Sequence, residues 1–497
     1  MLPLSLTLAT IFIATLGFLY WYRKTRDKGY KPIPGPIGLP MLGNVLQVGS
    51  KMHLQFSRWA NKYGEIFQIH LGNRRSVVIS DPQMVKEIFS NDPAFTGRAI
   101  FEGYEAYTNE PLGIASIEGE MWEVHRRFLL RQLRDFGFGK SSMEELVQEE
   151  VKMLIAHLKT FEGQPIKNLK QMLQISVLNS LWMIISNKRF SQDDPAVKEM
   201  MSDLQRVLEE MMKNIIVLFV PWTKYILPSI KVFDEVKAKG LQFYIDAVDA
   251  HKSTYQEDNL RDFIDAYLKE MKSQSSNPSS MFYGDKAERQ LHVLLGDIMF
   301  AGNDTTATTI SWAILYLTKF RDIQERIQKE IHDVTGDARP VALSDRPKMP
   351  YTMAVIEETF RISPVIPTGL QHRAIKGREF RDYFIPEDTW IFANIYHIHH
   401  DEKLWTDPKK FKPERFLSED GTVFKKNSNL LTFSIGRRQC VGETLARDSF
   451  FLFLTNIFQR YSITFDPEFP EPSLEPVVGF LLSPQPFTIQ IQDRIVD

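Results

Sequence analysis

Segment 433–442, which reads Phe-Ser-Ile-Gly-Arg-Arg-Gln-Cys-Val-Gly, constrains the fold of this 497-residue chain more than any other stretch. It holds Cys440, the only cysteine, so the chain forms no internal disulfide bond. Cys440 comes where this loop runs into an apolar helix predicted over residues 444–461, and the free amide groups of a helix N-terminus favour negative charge. Such a setting lowers the pKa of a thiol and favours the thiolate, which is the form that binds metal. Gly436 and Gly442 let a flat ligand approach the backbone, and Arg438 offers paired N–H groups to a carboxylate.

Six residues in and around this segment follow a recognisable pattern. They are Phe433, Gly436, Arg438, Cys440, Gly442 and Ala446. The pattern resembles the haem-binding signature F-x-x-G-x-R-x-C-x-G-x-x-x-A of cytochromes P450, in particular the animal microsomal type of the family-2 clan. The resemblance covers about residues 32–489 and implies a mainly α fold with a small β subdomain. It also implies a haem b cofactor (iron protoporphyrin IX) that contacts this segment, with Cys440 as axial ligand of the iron. Without the pattern, a lone cysteine at a helix start is an ordinary buried thiol.

The N-terminal segment predicts a membrane anchor. Residues 2–22 carry no charge, and 21 residues in a helix extend about 31 Å, which is the thickness of a bilayer core. Basic residues follow at once, which places the body on the cytosolic side. A cleaved signal peptide is the alternative, but no basic region precedes the apolar run. We therefore expect an anchor at residues 1–22 and a basic, proline-rich linker at residues 23–50.

The remaining chain, residues 51–497, is expected to form one haem-thiolate monooxygenase domain. Its length would allow about three domains, but no flexible linker, charge block or repeat divides it. A balance of 60 basic and 62 acidic residues argues against a nucleic-acid partner. Alternation around Gly72 and Asn73 predicts a β-hairpin, and helical periodicity dominates after Pro82. Strand character returns at residues 391–398 and after Pro484.

Several nitrogen-bearing side chains are candidates for binding the haem propionates. Trp122 and Arg126 share one helix face and reach the same anion, although an exposed stacked cation is the plainer interpretation. The resemblance to the P450 W-x-x-x-R pattern assigns both to a propionate. It assigns Arg98 and His372 similarly, and Arg438 completes the set, which has the size that a buried dianion demands.

The longest helical pattern, residues 285–320, is broken by the polar sequence Ala-Gly-Asn-Asp-Thr-Thr at residues 301–306. These are poor helix formers and suggest a local opening of the backbone hydrogen bonds, or else a polar patch on a buried helix. The resemblance implies that Ala301 lies over the haem. It also implies that Asp304 and Thr305 relay protons during oxygen activation.

Two further clusters are interpreted as structural. Glu358 and Arg361 match a P450 E-x-x-R pattern, and with Arg415 they are expected to hold the cysteine loop in place. Three histidines within residues 397–400 suggest a zinc site. They lack a complement of acidic or cysteine ligands apart from Asp401, so ordinary structural histidines are the preferred interpretation.

The resemblance implies an enzyme that inserts one atom of O2 into a lipophilic small molecule such as a fatty acid, steroid or xenobiotic. Because no nucleotide-binding fingerprint is present, the electrons must come from outside this chain. The resemblance and the expected anchor in the endoplasmic reticulum membrane imply NADPH–cytochrome P450 reductase as the donor, with cytochrome b5 as an optional donor. Expected cavity walls include residues 100–117 and 365–370 together with Phe300 and Phe480, with Glu102 and Glu105 as the few charges. A P450-fold isomerase or dehydratase acting on peroxides and a non-catalytic haem-binding protein remain alternatives.

Overall fold

The structure is a computed structural model that describes residues 30–99, 110–213, 216, 219–220, 223, 230–336 and 338–494, with residues 12, 15 and 17 as isolated positions. The predicted anchor, residues 1–22, therefore lies outside the described residues apart from those three positions. Among the residues that the structure describes, no helix combines the length and apolar character needed to cross a lipid bilayer.

The described chain is mainly helical, as predicted. The α-helices are α1 Val45–Val48, α2 Met52–Tyr63, α3 Pro82–Asn91, α4 Gly119–Asp135, α5 Ser141–Lys159, α6 Leu169–Ser186, α7 Pro195–Lys213, α8 Ile230–Thr254, α9 Phe263–Ser273, α10 Gly284–Lys319, α11 Arg321–Thr335, α12 Pro350–Ile362, α13 Ile395–His400 and α14 Glu443–Arg460. The strands are β1 Ile66–Leu71, β2 Arg74–Ile79, β3 Gly97–Arg98, β4 His372–Arg373, β5 Arg378–Phe380, β6 Tyr383–Ile385, β7 Trp390–Ala393, β8 Tyr461–Phe465, β9 Val477–Val478, β10 Leu482–Ser483 and β11 Ile489–Asp493.

A small sheet is built from distant parts of the chain. Its strands pair in the order β1-β2-β7-β4-β3, with β2 and β7 parallel and the other pairs antiparallel. The predicted hairpin is confirmed as β1 and β2, and Gly72 has φ +60° in its turn, where a side chain would clash with the Phe219 carbonyl. Because β3 and β4 carry Arg98 and His372, this sheet brings two candidate propionate ligands together.

Helix α10 runs through the centre of the helical body. It packs against α6, α8 and α14, and its side chains from Ala307 to Leu317 are buried on every face, which fits a helix enclosed by other helices. The predicted local opening at residues 301–306 is wrong, because the helix continues without interruption from Gly284 to Lys319. Burial between neighbouring helices outweighs the weak helix propensity of these residues.

One strand prediction needs correction. Residues 391–398 were expected to be strand throughout, but only Trp390–Ala393 form β7, and Ile395–His400 form α13. Asn394 turns the chain between them and donates a side-chain hydrogen bond to Ser80 (3.0 Å). The apolar run suits either a buried strand or a buried helix, so its periodicity alone does not decide between them.

The described part of the predicted linker packs on the body. The backbone N–H of Gln68 in β1 donates to the carbonyl of Pro34 at 2.8 Å, and Ile33 is buried. The buried side chain of Asn44 accepts a hydrogen bond from the backbone of His70 at 2.8 Å. The proline-rich segment is thus fixed against the sheet.

Candidate active site

Cys440 stands at the entrance of helix α14, as predicted. Its backbone N–H donates to the carbonyl of Phe433 at 3.0 Å, which closes the loop, and Gly442 is the N-cap residue of α14. The backbone N–H of Gly442 donates to the thiol sulfur, and the side chain of Cys440 is exposed. The sulfur is therefore accessible from one side and supported by an amide from the other.

The expected lowering of the thiol pKa is not observed. Burial by surrounding protein raises the pKa of Cys440, and the hydrogen bond from Gly442 and the positive charge of Arg126 only partly oppose this effect. In the protein alone the thiol form is favoured. Bound metal stabilises a thiolate directly, so the ligand assignment depends on the open sulfur rather than on the free thiol.

The two glycines of the loop have different surroundings. A side chain at Gly442 would meet no atom within 4 Å, so this position borders open space. Gly436 has φ +81° and a side chain there would lie 2.0 Å from the carbonyl oxygen of Phe89. Gly436 thus serves the close packing of the loop on helix α3, instead of the approach of a flat ligand. Phe433 packs edge-to-face on Phe360, with ring centroids 5.2 Å apart.

Three arginines meet next to the cysteine loop, as predicted. The guanidinium of Arg438 lies 4.0 Å above the ring of Trp122, and that of Arg126 lies 5.6 Å from the same ring. Arg438 is buried and donates to the carbonyls of Thr96 (2.8 Å) and Ile117 (2.7 Å).

The other two arginines are also held by backbone carbonyls. Arg126 donates to the carbonyl of Gln439 at 2.6 Å, and Arg98 donates to that of Leu370 at 3.2 Å. Arg98 is buried, and its Nε has no hydrogen-bond partner within the described part of the chain.

Among the residues that the structure describes, no carboxylate forms an ion pair with this arginine cluster. Burial and the positive charges of Arg98 and Arg126 together lower the pKa of Arg438 to about 8, and the negative charge of Glu118 only partly opposes them. Burial and the charge of Arg126 lower the pKa of Arg98 to about 10. No carboxylate lies within 4.0 Å of the three guanidinium groups among the described residues. Buried cations of this kind call for an anionic ligand, and the two carboxylates of a haem fit them.

His372 is adjacent to the cluster but is a weaker donor. Its ring is buried, stacks on Phe89 at 3.8 Å, and places Nδ1 2.8 Å from the carbonyl of Phe95. Burial and the charge of Arg98 lower the pKa of His372 well below its usual value, so the ring is neutral. Since Nδ1 carries the proton that bonds to Phe95, Nε2 can donate to a carboxylate only if the ring gains a second proton.

The two residues predicted to relay protons lie on different sides of helix α10. Ala301 is exposed and Thr305 partly exposed on a helix that is otherwise mostly buried, so both face an interior space. The hydroxyl of Thr305 donates to the carbonyl of Ala301 at 2.7 Å. Asp304 is buried on another side, where it accepts from Gln174 (2.8 Å) and pairs with Lys170 (2.9 Å). The structure does not bring the carboxylate of Asp304 and the hydroxyl of Thr305 together.

The structural triad is confirmed. Glu358 and Arg361 are fully buried and form a paired salt bridge at 2.7 and 2.8 Å, and Arg415 lies 3.2 Å from the same carboxylate. Arg361 also donates to the carbonyl of His399 at 2.7 Å. The triad therefore connects α12 to the segment that leads to the cysteine loop.

The neighbouring histidines do not share a metal site. His399 Nε2 accepts from the backbone of Leu431 at 2.9 Å, whereas His397 Nδ1 lies 3.0 Å from Ser57. They are not among the described groups that converge as metal ligands. The structural interpretation of these histidines is thus supported.

The cavity wall contains a carboxylate that the sequence analysis missed. Asp297 lies one turn before Ala301 on α10 and accepts from the backbone of Ile114 (2.6 Å) and Ala115 (2.9 Å). Of the predicted wall, the rings of Phe300 and Phe480 lie 5.6 Å apart. Residues 100–109 of that wall, which include Phe101, Glu102 and Glu105, lie outside the described residues. The spacing 297–301–305 in a helix would have revealed Asp297 as a cavity residue.

Comparisons with known proteins agree with this geometry. A family model described as Cytochrome P450 matches residues 33–491. The chain is similar to cytochrome P450 2B4 of Oryctolagus cuniculus, 36% identical over 471 residues that cover 92% of this chain and 93% of the relative. It is similar to farnesoate epoxidase of Bombyx mori, 32% identical over 500 residues that cover 98% of this chain and 99% of the relative. It is also similar to cytochrome P450 2J5 of Mus musculus, 34% identical over 499 residues that cover 99% of this chain and 97% of the relative.

Proposed function

This chain belongs to the cytochrome P450 family and is a monooxygenase of that family, and we propose that it inserts one oxygen atom of O2 into a lipophilic small molecule. The family implies a haem iron cofactor and O2 as co-substrate. We assign the electrons to NADPH, delivered by NADPH–cytochrome P450 reductase, with cytochrome b5 as an optional donor.

The observation that carries this proposal is the cluster of three arginines, two of them buried and Arg126 partly buried, beside an open thiol. Among the described residues, Arg98, Arg126 and Arg438 have no carboxylate partner and the Nε of Arg98 has no hydrogen-bond partner. A flat ligand that carries two carboxylates and a sulfur-binding metal would pair with the arginines and with the open thiol at the same time.

We assign the residues of this site to separate roles. Cys440 would bind the iron, and the arginine cluster with Trp122 would bind the propionates. Phe433 and Gly436 would shape the cysteine loop, while Gly442 and Ala301 would border the two faces of the cofactor. When bound, haem with a thiolate ligand supplies the chemistry that cleaves O2. His372 would contribute a propionate contact only in its protonated form.

The proton-handling residues are assigned from their placement on α10. Thr305 donates its own proton to Ala301, so its oxygen is free to accept a hydrogen bond from a molecule in the interior space. Asp304 faces Lys170 and Gln174, so protons would enter from that side. The two residues would therefore act in sequence, with water or a side-chain rotation between them.

The surroundings of the enzyme are proposed from the family and the sequence. Residues 1–22 would anchor the protein in the endoplasmic reticulum membrane, residues 23–50 would follow as a linker, and residues 51–497 would form the catalytic body on the cytosolic side. We assign the contact with an acidic electron donor to basic side chains on the cysteine side of the body, namely Arg126, Arg127, Lys140 and Arg437, the last of which pairs with Glu123. A lipid substrate agrees with the apolar wall around Phe300 and with the name farnesoate epoxidase of one relative.

The proposal is tested by identifying the residue that binds the haem iron. We expect the purified protein to bind haem and to show a strongly red-shifted Soret band in its reduced carbonyl complex, and we expect Cys440→His to lose that band while retaining haem. Survival of the band in the variant would refute Cys440 as ligand. Lipid turnover that requires NADPH and reductase would separate a monooxygenase from an isomerase, and absence of any turnover would favour a haem carrier.

A further inference from the structure

The carboxylate of Glu118 joins two segments at the edge of the candidate haem site. Glu118 is the N-cap residue of α4, and its Oε1 accepts a hydrogen bond from the backbone N–H of Arg98 in β3 at 2.6 Å. Arg438 bridges the same two segments, because it donates to the carbonyls of Thr96 and Ile117. The position of β3 relative to the start of α4 is therefore fixed twice, once by Glu118 and once by an arginine of the cluster.

Arg373 of β4 holds the carboxylate of Glu118 in place. Its Nε donates to Oε1 at 3.0 Å and its Nη2 donates to Oε2, so one guanidinium bonds both oxygens. The side chains of Glu118 and Arg373 are only 20% and 24% exposed, so solvent screens this pair in part. Nη1 of Arg373 donates to Asp388. Arg373 thus lies between two carboxylates, and the three groups together carry one negative charge.

The charge of Glu118 acts on the arginine cluster without forming an ion pair with it. Burial lowers the pKa of Arg98 and of Arg438, and the negative charge of Glu118 opposes this effect at both residues. The carboxylate bonds the backbone of Arg98 and the side chain of Arg373, and no guanidinium of the cluster. The cluster therefore keeps its nitrogen atoms for the haem carboxylates, while Glu118 lowers the positive potential around them.

The charges at this edge of the site match those of two carboxylates. Contacts connect four cations and two carboxylates, namely Arg98, Arg126, Arg373, Arg438, Glu118 and Asp388. Their net charge is two positive, and the two propionates of a haem carry two negative charges. The neighbouring ion pairs Asp92–Arg378 and Glu123–Arg437 are each neutral and leave this balance unchanged. Without Glu118 the site would keep one positive charge in excess when the cofactor is bound.

We propose that Glu118, held by Arg373, is a positioning residue that keeps a negative charge beside the arginine cluster and thereby lowers the reduction potential of the bound haem. This inference rests on the proposed function. Nearby positive charge stabilises the reduced haem, which carries one more electron, and nearby negative charge stabilises the oxidised haem. Glu118 thus offsets part of the field of the three arginines that bind the propionates.

The experiment measures haem reduction in the purified haem-containing protein without substrate. The reduced fraction is followed by its absorption spectrum during titration with dithionite and mediator dyes, at one pH and one ionic strength. In Glu118→Gln, which keeps the side-chain length and an acceptor oxygen, we expect the ratio of reduced to oxidised haem at a given solution potential to rise about threefold. In Arg373→Gln we expect the same ratio to fall about threefold, because a positive charge is removed.

The double variant distinguishes an effect of charge from an effect of local structure. The ion pair is absent from both single variants and from Glu118→Gln with Arg373→Gln, but only the double variant restores the net charge. We therefore expect its ratio to lie within about 1.5-fold of the wild type. Glu87→Gln is the matched control, because Arg381 bonds both oxygens of Glu87 at 2.9 Å but the pair is exposed. Solvent screens that pair, so the ratio should not change.

A shift in the same direction in both single variants and in the double variant would overturn the proposal, because loss of the ion pair alone would then explain it. So would an unchanged ratio in Glu118→Gln. If Glu118→Gln does not retain haem, Arg373→Gln decides: a lower ratio supports the proposal, and an equal or higher ratio refutes it. All of these outcomes require a normal carbonyl spectrum. A protein that binds no haem would instead refute the proposed function itself.

Discussion

At the residue scale, the adjacent residues Asp304 and Thr305 lie on different sides of helix α10. Thr305 faces the interior space, while Asp304 is turned to Lys170 at 2.9 Å and Gln174 at 2.8 Å from helix α6. Only Thr305 is therefore in a position to touch a molecule in the cavity directly. In the proposed proton relay, Asp304 would act through another group, and protons would arrive from the side of its ion pair with Lys170.

Loss of the Thr305 hydroxyl should affect the fate of electrons more than substrate binding. In Thr305→Ala we expect the share of NADPH electrons that ends in hydrogen peroxide to rise about tenfold, because a positioned proton donor or acceptor is missing. Peroxide and NADPH consumption measured together give this ratio. Ser311→Ala removes a hydroxyl from the same helix that bonds the carbonyl of Ala307 in the core, and it should leave the ratio unchanged. Equal coupling in Thr305→Ala and wild type would remove Thr305 from the proton pathway.

The arginine cluster predicts a specific loss of haem affinity. In Arg126→Gln we expect haem to dissociate about ten- to a hundredfold faster, since a charged hydrogen bond to a propionate is lost. Transfer of haem to apomyoglobin measures the rate. Arg127→Gln is the matched control, because Arg127 is adjacent in sequence but exposed. An identical rate in both variants would show that Arg126 does not contact the cofactor.

Residues were predictable where the signal is local. Cys440 and its loop follow from a continuous stretch, and Trp122 and Arg126 from one helical turn. The helical spacing 297–301–305 places Asp297 beside Ala301, but its contacts with amides 182 and 183 residues away could not be predicted, nor could the contact of Lys170 with Asp304 across 134 positions. Such contacts depend on how distant elements pack, and no local pattern records them.

At the element scale, a buried ion pair joins helices α8 and α9. His251 places Nδ1 2.6 Å from the carbonyl of Ala247 and Nε2 2.8 Å from the carboxylate of Asp262, which caps α9. Both partners are acceptors, so both nitrogens must carry protons. Asp265 lies close by but is bonded to Arg261 on two atoms. The hydrogen-bonding groups of His251, Asp262 and Asp265 are thus paired with one another or with Arg261. This arrangement favours an ion pair that links α8 to α9, here called the ionic clasp, over a metal site.

This clasp predicts a pH-dependent contribution to stability. Burial alone would lower the pKa of His251, but the hydrogen bonds to Asp262 and Ala247 raise it above its usual value. A raised folded-state pKa means that the contribution is complete below about pH 6.5 and is lost as pH rises through the folded value. In His251→Gln we expect a loss of about 3 kcal/mol at about pH 6 that becomes smaller at about pH 9.

Thermal and urea unfolding of the wild type and the variant at both pH values measure the difference. His157→Gln, at a histidine on α5 that lies edge-to-face with Phe161, controls for the loss of a histidine elsewhere. A loss that stays constant with pH would show that His251 is neutral in the folded protein.

The type of a secondary-structure element could be predicted from the sequence more readily than the residues at which it begins, ends or continues. The hairpin β1–β2 was given by its turn residues, yet α10 runs unbroken through residues 301–306 and α13 replaces part of a predicted strand. In both cases burial among other helices overrides a local preference, and propensity is only a weak guide there.

At the scale of the whole molecule, the segment next to the predicted anchor adds an apolar surface to the body. Ile37 and Met41 are 78% and 75% exposed, and Leu39 and Leu46 are also exposed. The same segment is fixed on the sheet through the Pro34 carbonyl, so these side chains are held by the body and not by the anchor. A membrane contact made here would persist when the anchor is removed.

Deletion of residues 1–28 should therefore release the protein from lipid vesicles only in part. Replacing Ile37 and Met41 by serine in the truncated protein should weaken the remaining binding by about a hundredfold, since each buried apolar side chain contributes about 1.5 kcal/mol. Flotation at high salt isolates this apolar contribution, because screening removes attraction to charged lipids. Serine at Val423 and Val477, which are 57% and 42% exposed elsewhere on the surface, controls for the loss of apolar area in general. If the truncated protein already leaves the vesicles completely, the anchor is the sole membrane contact and the surface around Ile37 has no part in it.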